Sequence, residues 1–453
     1  MIQSNRLRLQ TLTCSAKIDA SRFRTKRYTH FDNKISINRV INDITNPCWV
    51  TKHGFYPFIH FKIEFFKYNK EKMERRSKTR DIYYASHIDS YIYKYYGDKL
   101  NDKYNDIVKK LAINEVATAY RNNSSGKSNI HFAKEVIDFI KSQKNAFIYV
   151  ADFTKFFDEL DHKYLKRQIQ VVLEEDKLPD DYYSVFKNIT KFSWAEKEKI
   201  EAVLKKKYRN KDKRKKLTRY FDEKDFRKFR SSDNENIKFN KNEYGIPQGA
   251  GLSSVCSNIY LLDFDKNINE YVKGNNGLYR RYCDDLIIVI PFDGEIEKYD
   301  YNVHMEFIEG IKIQTPRLII QQEKTKKFIY SNSQIFDESF NKGTLDYLGF
   351  SFDGHNVKIR EKSLFKFYSR AYRKVRLCNW KADEHERKKH RKGLYKNYTH
   401  LGKTRKEGYG NFISYVSRAQ KIFDVNATTH NLMETQVENH WKNITKRLND
   451  PSK

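Results

Sequence analysis

The stretch YRRYCDDLIIVI (279–290) places two adjacent aspartates directly before five consecutive apolar residues. Polar residues, a tight turn and an apolar run in this order predict a β-hairpin whose second strand is buried. About 130 residues earlier, the apolar run FIYVADF (147–153) carries Asp152 near its end and predicts another buried strand. Aspartates at the ends of buried strands are held rigidly and reach the edge of the sheet.

Three carboxylates that converge at one sheet edge repel each other strongly unless cations lie between them. Mg²⁺ prefers oxygen ligands and takes few of them from protein, because water and phosphate complete its shell. Two such ions about 4 Å apart activate an attacking hydroxyl and stabilise a leaving pyrophosphate. The alternative is that Asp284 and Asp285 are solvated acids at an ordinary hairpin turn.

The surroundings of these aspartates favour the catalytic interpretation. Three strings resemble motifs A, B and C of reverse transcriptases in order and separation: ADFTKFFDELDH (151–162), GIPQGAGLSS (245–254) and YCDD (282–285). Other segments resemble motifs D and E, then two finger motifs: QQEKT (321–325), LDYLGFSF (345–352), RDIYYASHIDSYIY (80–93) and AYRNNSSGKSNIHFA (119–133). The resemblance covers about residues 80–360.

The resemblance implies an α+β fold of the right-hand polymerase type, with fingers, palm and thumb. The palm would be an antiparallel sheet backed by helices, and the thumb a helical C-terminal region. We expect the chain to divide into an N-terminal extension, fingers, a palm with a charged insertion, and a basic helical thumb. The N-terminal extension is expected at 1–78, the fingers at 79–145, the palm at 146–360 with its insertion at about 195–241, and the thumb at 361–453.

Local patterns add expectations for individual elements. Apolar spacing predicts a helix over about 85–120 and another at Ile130–Ile140. The aromatic-rich stretch 55–66 and the segments Leu318–Gln321 and 345–352 are predicted strands. The region from 360 to 453 lacks the alternation typical of strands, so we expect it to be helical.

By resemblance, Asp152 and Asp284 bind two Mg²⁺ ions, for which Mn²⁺ is an alternative. Asp285 supports them, and the backbone carbonyl of Phe153 completes the site. Lys324 corresponds to a motif D lysine that protonates the leaving pyrophosphate or neutralises its charge. The alternative for Lys324 is a surface lysine without a catalytic role.

The resemblance also assigns residues to the incoming nucleotide and the primer. Phe157 takes the position of a bulky gate that excludes the 2′-hydroxyl of a ribonucleotide. Gln248 lies against the nucleotide, Gly249 lets the backbone approach closely, and Tyr282 abuts the primer end. An ordinary core aromatic is the alternative for Phe157.

A polar, glycine-containing loop at 121–128 suits a phosphate site. Arg121 and Lys127 are therefore candidates for holding the triphosphate from the fingers. Solvated loop residues are the alternative for both.

The charge of the chain indicates a polyanionic partner. The sequence has 88 Lys and Arg against 58 Asp and Glu, a net charge of +30, yet 15 % of it is aromatic. This combination favours a folded protein that binds nucleic acid over a disordered basic tail. Residues 360–453 alone carry a net +14. The expected contacts there are Arg370, Arg373, Lys374 and Arg376.

The same composition argues against other classes of protein. The sequence contains no run of about 18 apolar residues, so no membrane span is expected. The five cysteines are scattered, with no CxxC pair, which argues against a disulfide framework or structural zinc and fits a cytoplasmic protein.

The expected function is that of an RNA-directed DNA polymerase that consumes dNTPs. Within the family, the chain looks most like bacterial abortive-infection and unknown-group enzymes, which are related to group II intron and retron reverse transcriptases. That subclass implies phage defence with a structured noncoding RNA template, a DNA product, and a second copy or another protein as a further partner. Alternatives are a template-independent or protein-primed transferase, an RNA-dependent RNA polymerase, and a catalytically silent RNA-binding protein.

Overall fold

The computed structural model describes residues 19–69, 74–123, 126–385, 391–402 and 410–449. The chain forms two compact units, one within Met1–Lys103 and Phe157–Cys256, the other within Tyr104–Phe156 and Ser257–Lys453. Each unit is therefore built from two separate stretches of sequence.

The strands of the described residues are β1 (Phe58–Asn69), β2 (Glu74–Tyr84), β3 (Asn145–Asp152), β4 (Ser193–Glu196), β5 (Lys238–Phe239), β6 (Leu278–Tyr282), β7 (Asp285–Pro291), β8 (Lys326–Ser331), β9 (Gln334–Phe336), β10 (Leu345–Tyr347), β11 (Phe350–Phe352), β12 (Asn356–Ile359) and β13 (His430–Asn431).

The α-helices of the same residues are α1 (Ile41–Thr45), α2 (Pro47–Lys52), α3 (His87–Lys110), α4 (Asn129–Lys141), α5 (His162–Leu173), α6 (Asp180–Thr190), α7 (Lys197–Lys207), α8 (Lys211–Lys215), α9 (Glu223–Ser232), α10 (Ser253–Tyr260), α11 (Leu262–Gly274), α12 (Asn302–Gln314), α13 (Glu361–His385), α14 (Lys392–Tyr398), α15 (Phe412–Asp424) and α16 (His440–Asn449).

The second unit is built on an antiparallel sheet with the strand order β6-β7-β3-β8-β9. Its central strands β3 and β7 are apolar and buried on both faces. Helices α4 and α15 pack on the sheet, and their buried residues form one core with those of the strands. The predicted hairpin at 279–290 and the predicted strand at 147–153 are both confirmed.

A second sheet of this unit has the order β10-β11-β12-β13. Phe350 and Phe352 point into the same core as Phe423 of α15. The C-terminal region is mainly helical, as expected, but β13 pairs in parallel with β12. The expectation of a purely helical C-terminal region is wrong at this short strand.

The first unit contains the sheet β2-β1-β4-β5. Strands β1 and β2 form a long antiparallel hairpin, which confirms the strand expected from the aromatic stretch. The charged stretch 195–241 folds into α7 to α9, whose apolar side chains, such as Ile200 and Phe229, pack against Ile59 of β1. Phe31, from the N-terminal region, belongs to the same core.

Two expectations for local structure fail. Helix α3 ends at Lys110 rather than near 120, because Ala112 has a positive φ of 55° and Ala117 forms a parallel bridge with Arg281 of β6. Leu318–Gln321 is not a strand, since its β-type pairing is the single bridge between Ile320 and Phe153. Both segments take their conformation from tertiary partners that local spacing does not reveal.

Across the described ranges, no helix combines the length and apolar character needed to cross a bilayer.

Candidate active site

The ends of two strands and the turn between β6 and β7 bring the motif aspartates together. Asp152 is the last residue of β3, Asp284 lies in the β6–β7 turn, and Asp285 is the first residue of β7. Asp152 and Asp285 are direct partners in the strand register. The backbone N–H of Phe153 donates to the carbonyl of Asp284 at 3.3 Å, which ties β3 to the turn. The three carboxylates therefore share one edge of the sheet.

The turn between β6 and β7 has a constrained geometry. Tyr282 pairs with Asp285, so Cys283 and Asp284 are the two loop residues. Cys283 has a φ of 61°, whereas the φ of Asp284 is not positive. This combination is that of a type II′ turn. Cys283 is buried, and burial raises the pKa of its thiol to about 12. The thiol is therefore protonated at neutral pH and packs rather than reacts.

Burial and repulsion from neighbouring carboxylates make the carboxyl groups of Asp284 and Asp285 harder to ionise. Burial raises the pKa of Asp284, and the charge of Asp152 raises it further. Although Asp285 is exposed as a residue, desolvation of its carboxyl raises its pKa to about 6, with the charges of Asp284 and Asp152 adding to the shift. Lys324 opposes the shift at Asp285 and forms an ion pair with Oδ2 of Asp152. Positive charge at this edge is needed to ionise all the carboxylates together.

Asp152 and Asp284 have the chemistry of a divalent-cation site. Among the described residues, no group of three or more His, Cys, Asp or Glu side chains is arranged to hold a metal ion. Mg²⁺ commonly takes only one or two carboxylates and completes its shell with water and phosphate. Oδ1 of Asp152 is buried without a hydrogen-bond partner in the described part of the chain. An unpaired carboxylate oxygen beside a repelling carboxylate fits a cation, while the participation of Asp285 stays a prediction.

A family model for the reverse transcriptase (RNA-dependent DNA polymerase) matches residues 99–352, more than half of the chain. The chain belongs to this reverse transcriptase family. The matched segment contains the β3 and β7 aspartates, the 245–254 loop and Lys324. Its fold class is accordingly that of the right-hand polymerases, in agreement with the α+β architecture and antiparallel sheet.

Solved structures resemble the chain only distantly. Apo telomerase from Candida tropicalis, truncated from its C-terminal domain, is 13 % identical with a TM-score of 0.42, covering 72 % of this chain and 61 % of that one. Telomerase from Candida albicans, in complex with a fragment of telomeric RNA, is 11 % identical with a TM-score of 0.42, covering 90 % and 58 %. An insertion-loop deletion mutant of the RNA-dependent RNA polymerase of a human picobirnavirus is 9 % identical with a TM-score of 0.39, covering 73 % and 53 %.

The chain spans about three fifths of the length of the two telomerase chains. No curated protein sequence matches it.

The nucleotide-binding candidates Phe157, Gln248 and Gly249 lie together in the first unit. The carbonyl of Phe157 accepts a hydrogen bond from the N–H of Ile246 at 2.9 Å, so the 245–254 loop is bound to the segment after β3. The amide of Gln248 donates to Asp158 at 3.4 Å. Gly249 has a φ of 117°. The structure thus brings the gate candidate and the loop candidates into one hydrogen-bonded substructure.

Arg121 is engaged by the protein itself. Its guanidinium donates to Asn105 Oδ1 at 2.8 Å and to Asn114 Oδ1 at 2.7 Å, and it lies 5.6 Å above the ring of Tyr104. A triphosphate would have to compete with these contacts. Lys127 is exposed two residues before α4, and Tyr282 is half-buried.

Helix α13 presents most of the predicted nucleic-acid contacts on its exposed face. Arg370, Arg373 and Arg376 are exposed, while Ala371 and Val375 are buried in the core shared with α14 and α16. Lys374 differs, because it is half-buried and packs toward Gly393 of α14. The structure therefore groups three of the four predicted contacts and separates Lys374 from them.

One buried cluster beside the turn was not predicted. Arg281 and Asp265 form an ion pair in which both side chains are fully buried. The available signals were two adjacent arginines inside strand β6 and two aspartates, Asp263 and Asp265, in the first turn of α11. Neither signal indicates which partner each charge has.

Proposed function

We propose that the protein is an RNA-directed DNA polymerase that adds dNTPs to a primer by metal-assisted nucleotidyl transfer. The observation that carries this proposal is the convergence of Asp152, Asp284 and Asp285 at one sheet edge in a chain of the reverse transcriptase family. In the reaction, a primer 3′-hydroxyl attacks the α-phosphorus of the dNTP, the bond to the β-phosphate breaks, and pyrophosphate leaves.

Asp152, Asp284 and the backbone carbonyl of Phe153 would hold Mg²⁺ or Mn²⁺, with Asp285 in support. Bound there, the ions would lower the pKa of the attacking hydroxyl and neutralise charge on the phosphates. Lys324 would donate a proton to the leaving pyrophosphate or neutralise its charge. Its ion pair with Asp152 supports this role, because the ammonium group already lies at the carboxylate edge.

The loop at 245–254 would shape the nucleotide site. Phe157 would exclude a 2′-hydroxyl and make the enzyme select dNTPs, while Gln248 and Gly249 would approach the base and sugar. Tyr282 would contact the primer end. The hydrogen bond between Ile246 and Phe157 supports a shared role, since it couples loop and gate. We retain Lys127 as a triphosphate contact and regard Arg121 as the weaker candidate because of its internal contacts.

The exposed face of α13 would hold the phosphates of the template–primer duplex. Lys362, Lys366, Arg370 and Arg373 follow one another at spacings of three or four residues and are exposed, which places them on one side of a helix. Binding through several phosphate contacts should weaken steeply with salt. A nearly flat salt dependence would contradict this role.

We further propose that the enzyme acts in the bacterial cytoplasm in defence against phage, copying a structured noncoding RNA into DNA. The support is the resemblance of its motifs to abortive-infection and unknown-group reverse transcriptases and the scattered cysteines. A second copy or a partner protein would complete the system.

The decisive experiment supplies purified protein with Mg²⁺, an RNA template, a DNA primer and labelled dNTPs. We expect template-dependent extension, no extension by Asp284→Asn/Asp285→Asn, and unchanged RNA binding by that variant. Incorporation without a template would favour the terminal-transferase alternative, exclusive use of rNTPs the RNA polymerase alternative, and RNA binding without incorporation the silent binding protein.

A second experiment tests the gate. Phe157→Ala should incorporate rNTPs that the wild type rejects, because removal of the ring leaves room for a 2′-hydroxyl. Sequencing of the nucleic acid that copurifies with the protein would identify template and product together.

A further inference from the structure

Arg281, one residue before Tyr282 on β6, makes a dense set of buried contacts. Its Nε donates to Asp265 Oδ1 at 2.9 Å, and one terminal nitrogen donates to Asp265 Oδ2 at 2.5 Å. The other terminal nitrogen donates to Asn258 Oδ1 at 3.1 Å. Arg281 and Asp265 have no solvent exposure, and the ion pair outweighs burial so that the pKa of Arg281 is raised. The guanidinium is thus charged and fixed in orientation.

The nitrogen that contacts Asn258 also donates to the backbone carbonyl of Cys283 at 2.8 Å. Cys283 is the left-handed residue of the turn, and a residue with a side chain adopts this conformation at a cost of about 1–2 kcal/mol. A type II′ turn normally has glycine at this position. The hydrogen bond from a charged donor offsets part of that cost and specifies where the carbonyl points.

The position of Arg281 is itself fixed by backbone contacts. Its N–H donates to the carbonyl of Val116 at 2.8 Å, and its carbonyl accepts from the N–H and the hydroxyl of Thr118 at 2.9 and 3.0 Å. Asp265 is held in turn by the hydroxyl of Tyr279 at 2.8 Å. Arg281 therefore connects the 116–118 segment, through its backbone, and α11, through its guanidinium, to the turn.

We propose that Arg281, oriented by Asp265, is a positioning residue that holds the Cys283–Asp284 turn in the conformation that places the Asp284 carboxylate at the end of β3. The catalytic role of these contacts rests on the proposed polymerase activity, whereas the contacts between Arg281 and the turn are a property of the folded chain. Replacing a buried ion pair by apolar residues is often neutral for stability. We therefore expect the pair to act chiefly on the geometry of the turn.

The neighbouring Arg280 offers a matched control. It is also on β6, is 6 % exposed, and donates to Glu135 at 2.9 Å and to Glu115 at 3.1 Å. Within the described part of the chain, its side-chain hydrogen bonds go to these glutamates and to the backbone of β6 rather than to the turn. Arg281→Lys and Arg280→Lys therefore make the same chemical change in two buried arginines. Only Arg281→Lys removes a guanidinium that donates to the turn.

The test measures hydrogen exchange of the segment 279–290 without substrate, together with steady-state kinetics. In Arg281→Lys, exchange of the turn amides should accelerate about tenfold, the equivalent of one lost hydrogen bond. The kcat for dNTP incorporation should fall about 10²-fold with a nearly unchanged KM, as expected for a misplaced catalytic group. Arg280→Lys should change neither quantity by more than about threefold.

Three outcomes would overturn the proposal. The first is equal exchange of the turn in the Arg281→Lys and Arg280→Lys variants. The second is a rise in KM instead of a fall in kcat. The third is unfolding of both Arg281→Lys and Arg281→Met/Asp265→Leu while Arg280→Lys stays folded, since the pair would then serve folding. If the wild type incorporates no nucleotide, the polymerase proposal fails and the exchange comparison still decides the role of Arg281.

Discussion

Replacing Gly249 by alanine should destabilise the first unit and disturb the 245–254 loop. Gly249 has a φ of 117°, which residues with a side chain rarely adopt. A Cβ atom there would also lie far inside the van der Waals contact distance to the carbonyl oxygen of Tyr83. That oxygen belongs to β2, where Tyr83 pairs with His60 of β1, so the obstacle is rigid backbone rather than a flexible side chain.

The expected cost has two parts. The unfavourable φ contributes about 1–2 kcal/mol. Relief of the clash must separate Gly249 from Tyr83, which breaks the hydrogen bond from the N–H of Tyr83 to the carbonyl of Gln248 at 3.1 Å. Loss of this bond adds about 1 kcal/mol, so the total is about 2–3 kcal/mol.

Gly294→Ala is the matched control. Gly294 has a φ of 101°, but nothing lies within 4 Å of the position that an alanine Cβ would occupy. It should therefore show only the cost of the φ angle, about 1–2 kcal/mol. The assay is urea unfolding followed by circular dichroism, with the KM for dNTP as a second measurement that should rise only in Gly249→Ala. Equal stability and equal KM of the two variants would refute the reasoning.

Three further predictions concern acid stability, catalysis and the N-terminal region. Burial lowers the pKa of His30 from 6.5 to about 3, so only the unfolded chain gains a proton there between about pH 6.5 and pH 4.5. Stability should fall by roughly 2–3 kcal/mol over this interval, less so in His30→Gln, as measured by urea unfolding at several pH values. Lys324→Ala should lower the rate of dNTP incorporation about 10²-fold at saturating substrate, with a change in stability below about 1 kcal/mol, because its ion pair with Asp152 is partly exposed. Asp32→Ala should cost about 1–3 kcal/mol in urea unfolding, since the carboxylate accepts from the N–H and ring of His87 at 2.7 and 2.8 Å and caps α3.

Each of these predictions has a result that contradicts it. A His30→Gln variant with the same acid slope as the wild type would show that other groups dominate acid unfolding. Unchanged turnover in Lys324→Ala would make Lys324 a surface lysine. An unchanged unfolding midpoint in Asp32→Ala would mean that the N-terminal region does not stabilise α3.

Much of the second unit could be predicted because its signals are local. The apolar runs that became β3 and β7 bury both faces of a central strand, so their composition alone excludes an exposed conformation. A polar pair before an apolar strand predicts a tight hairpin. The hairpin is confirmed, but its turn lies at Cys283 and Asp284, one residue before the predicted pair Asp284 and Asp285. The position of Asp152 at a strand end could be predicted because the residue ends an apolar run. These elements needed no knowledge of distant partners.

The end of α3 and the contacts of Arg121 escaped prediction from the sequence for the same reason. The helix expected to reach residue 120 stops at Lys110 because Ala117 pairs with Arg281, more than 160 residues away. The engagement of Arg121 by Asn105 and Asn114 likewise depends on how the chain returns past the end of α3. Apolar periodicity reports which face of a segment is buried, and it carries no information about which backbone will compete for its hydrogen bonds.

The sequence by itself determined the chemistry available to this protein: carboxylates at strand ends, a glycine-containing loop, a basic C-terminal region and membership of the reverse transcriptase family. Only the tertiary structure decided how that chemistry is arranged. It placed Asp152 opposite Asp285, brought Lys324 to Asp152, and buried Arg281 against Asp265 behind the turn. Residue types and short spacings are local properties, whereas the ionisation of a carboxylate and the direction of a turn carbonyl depend on charges and donors supplied from distant parts of the chain.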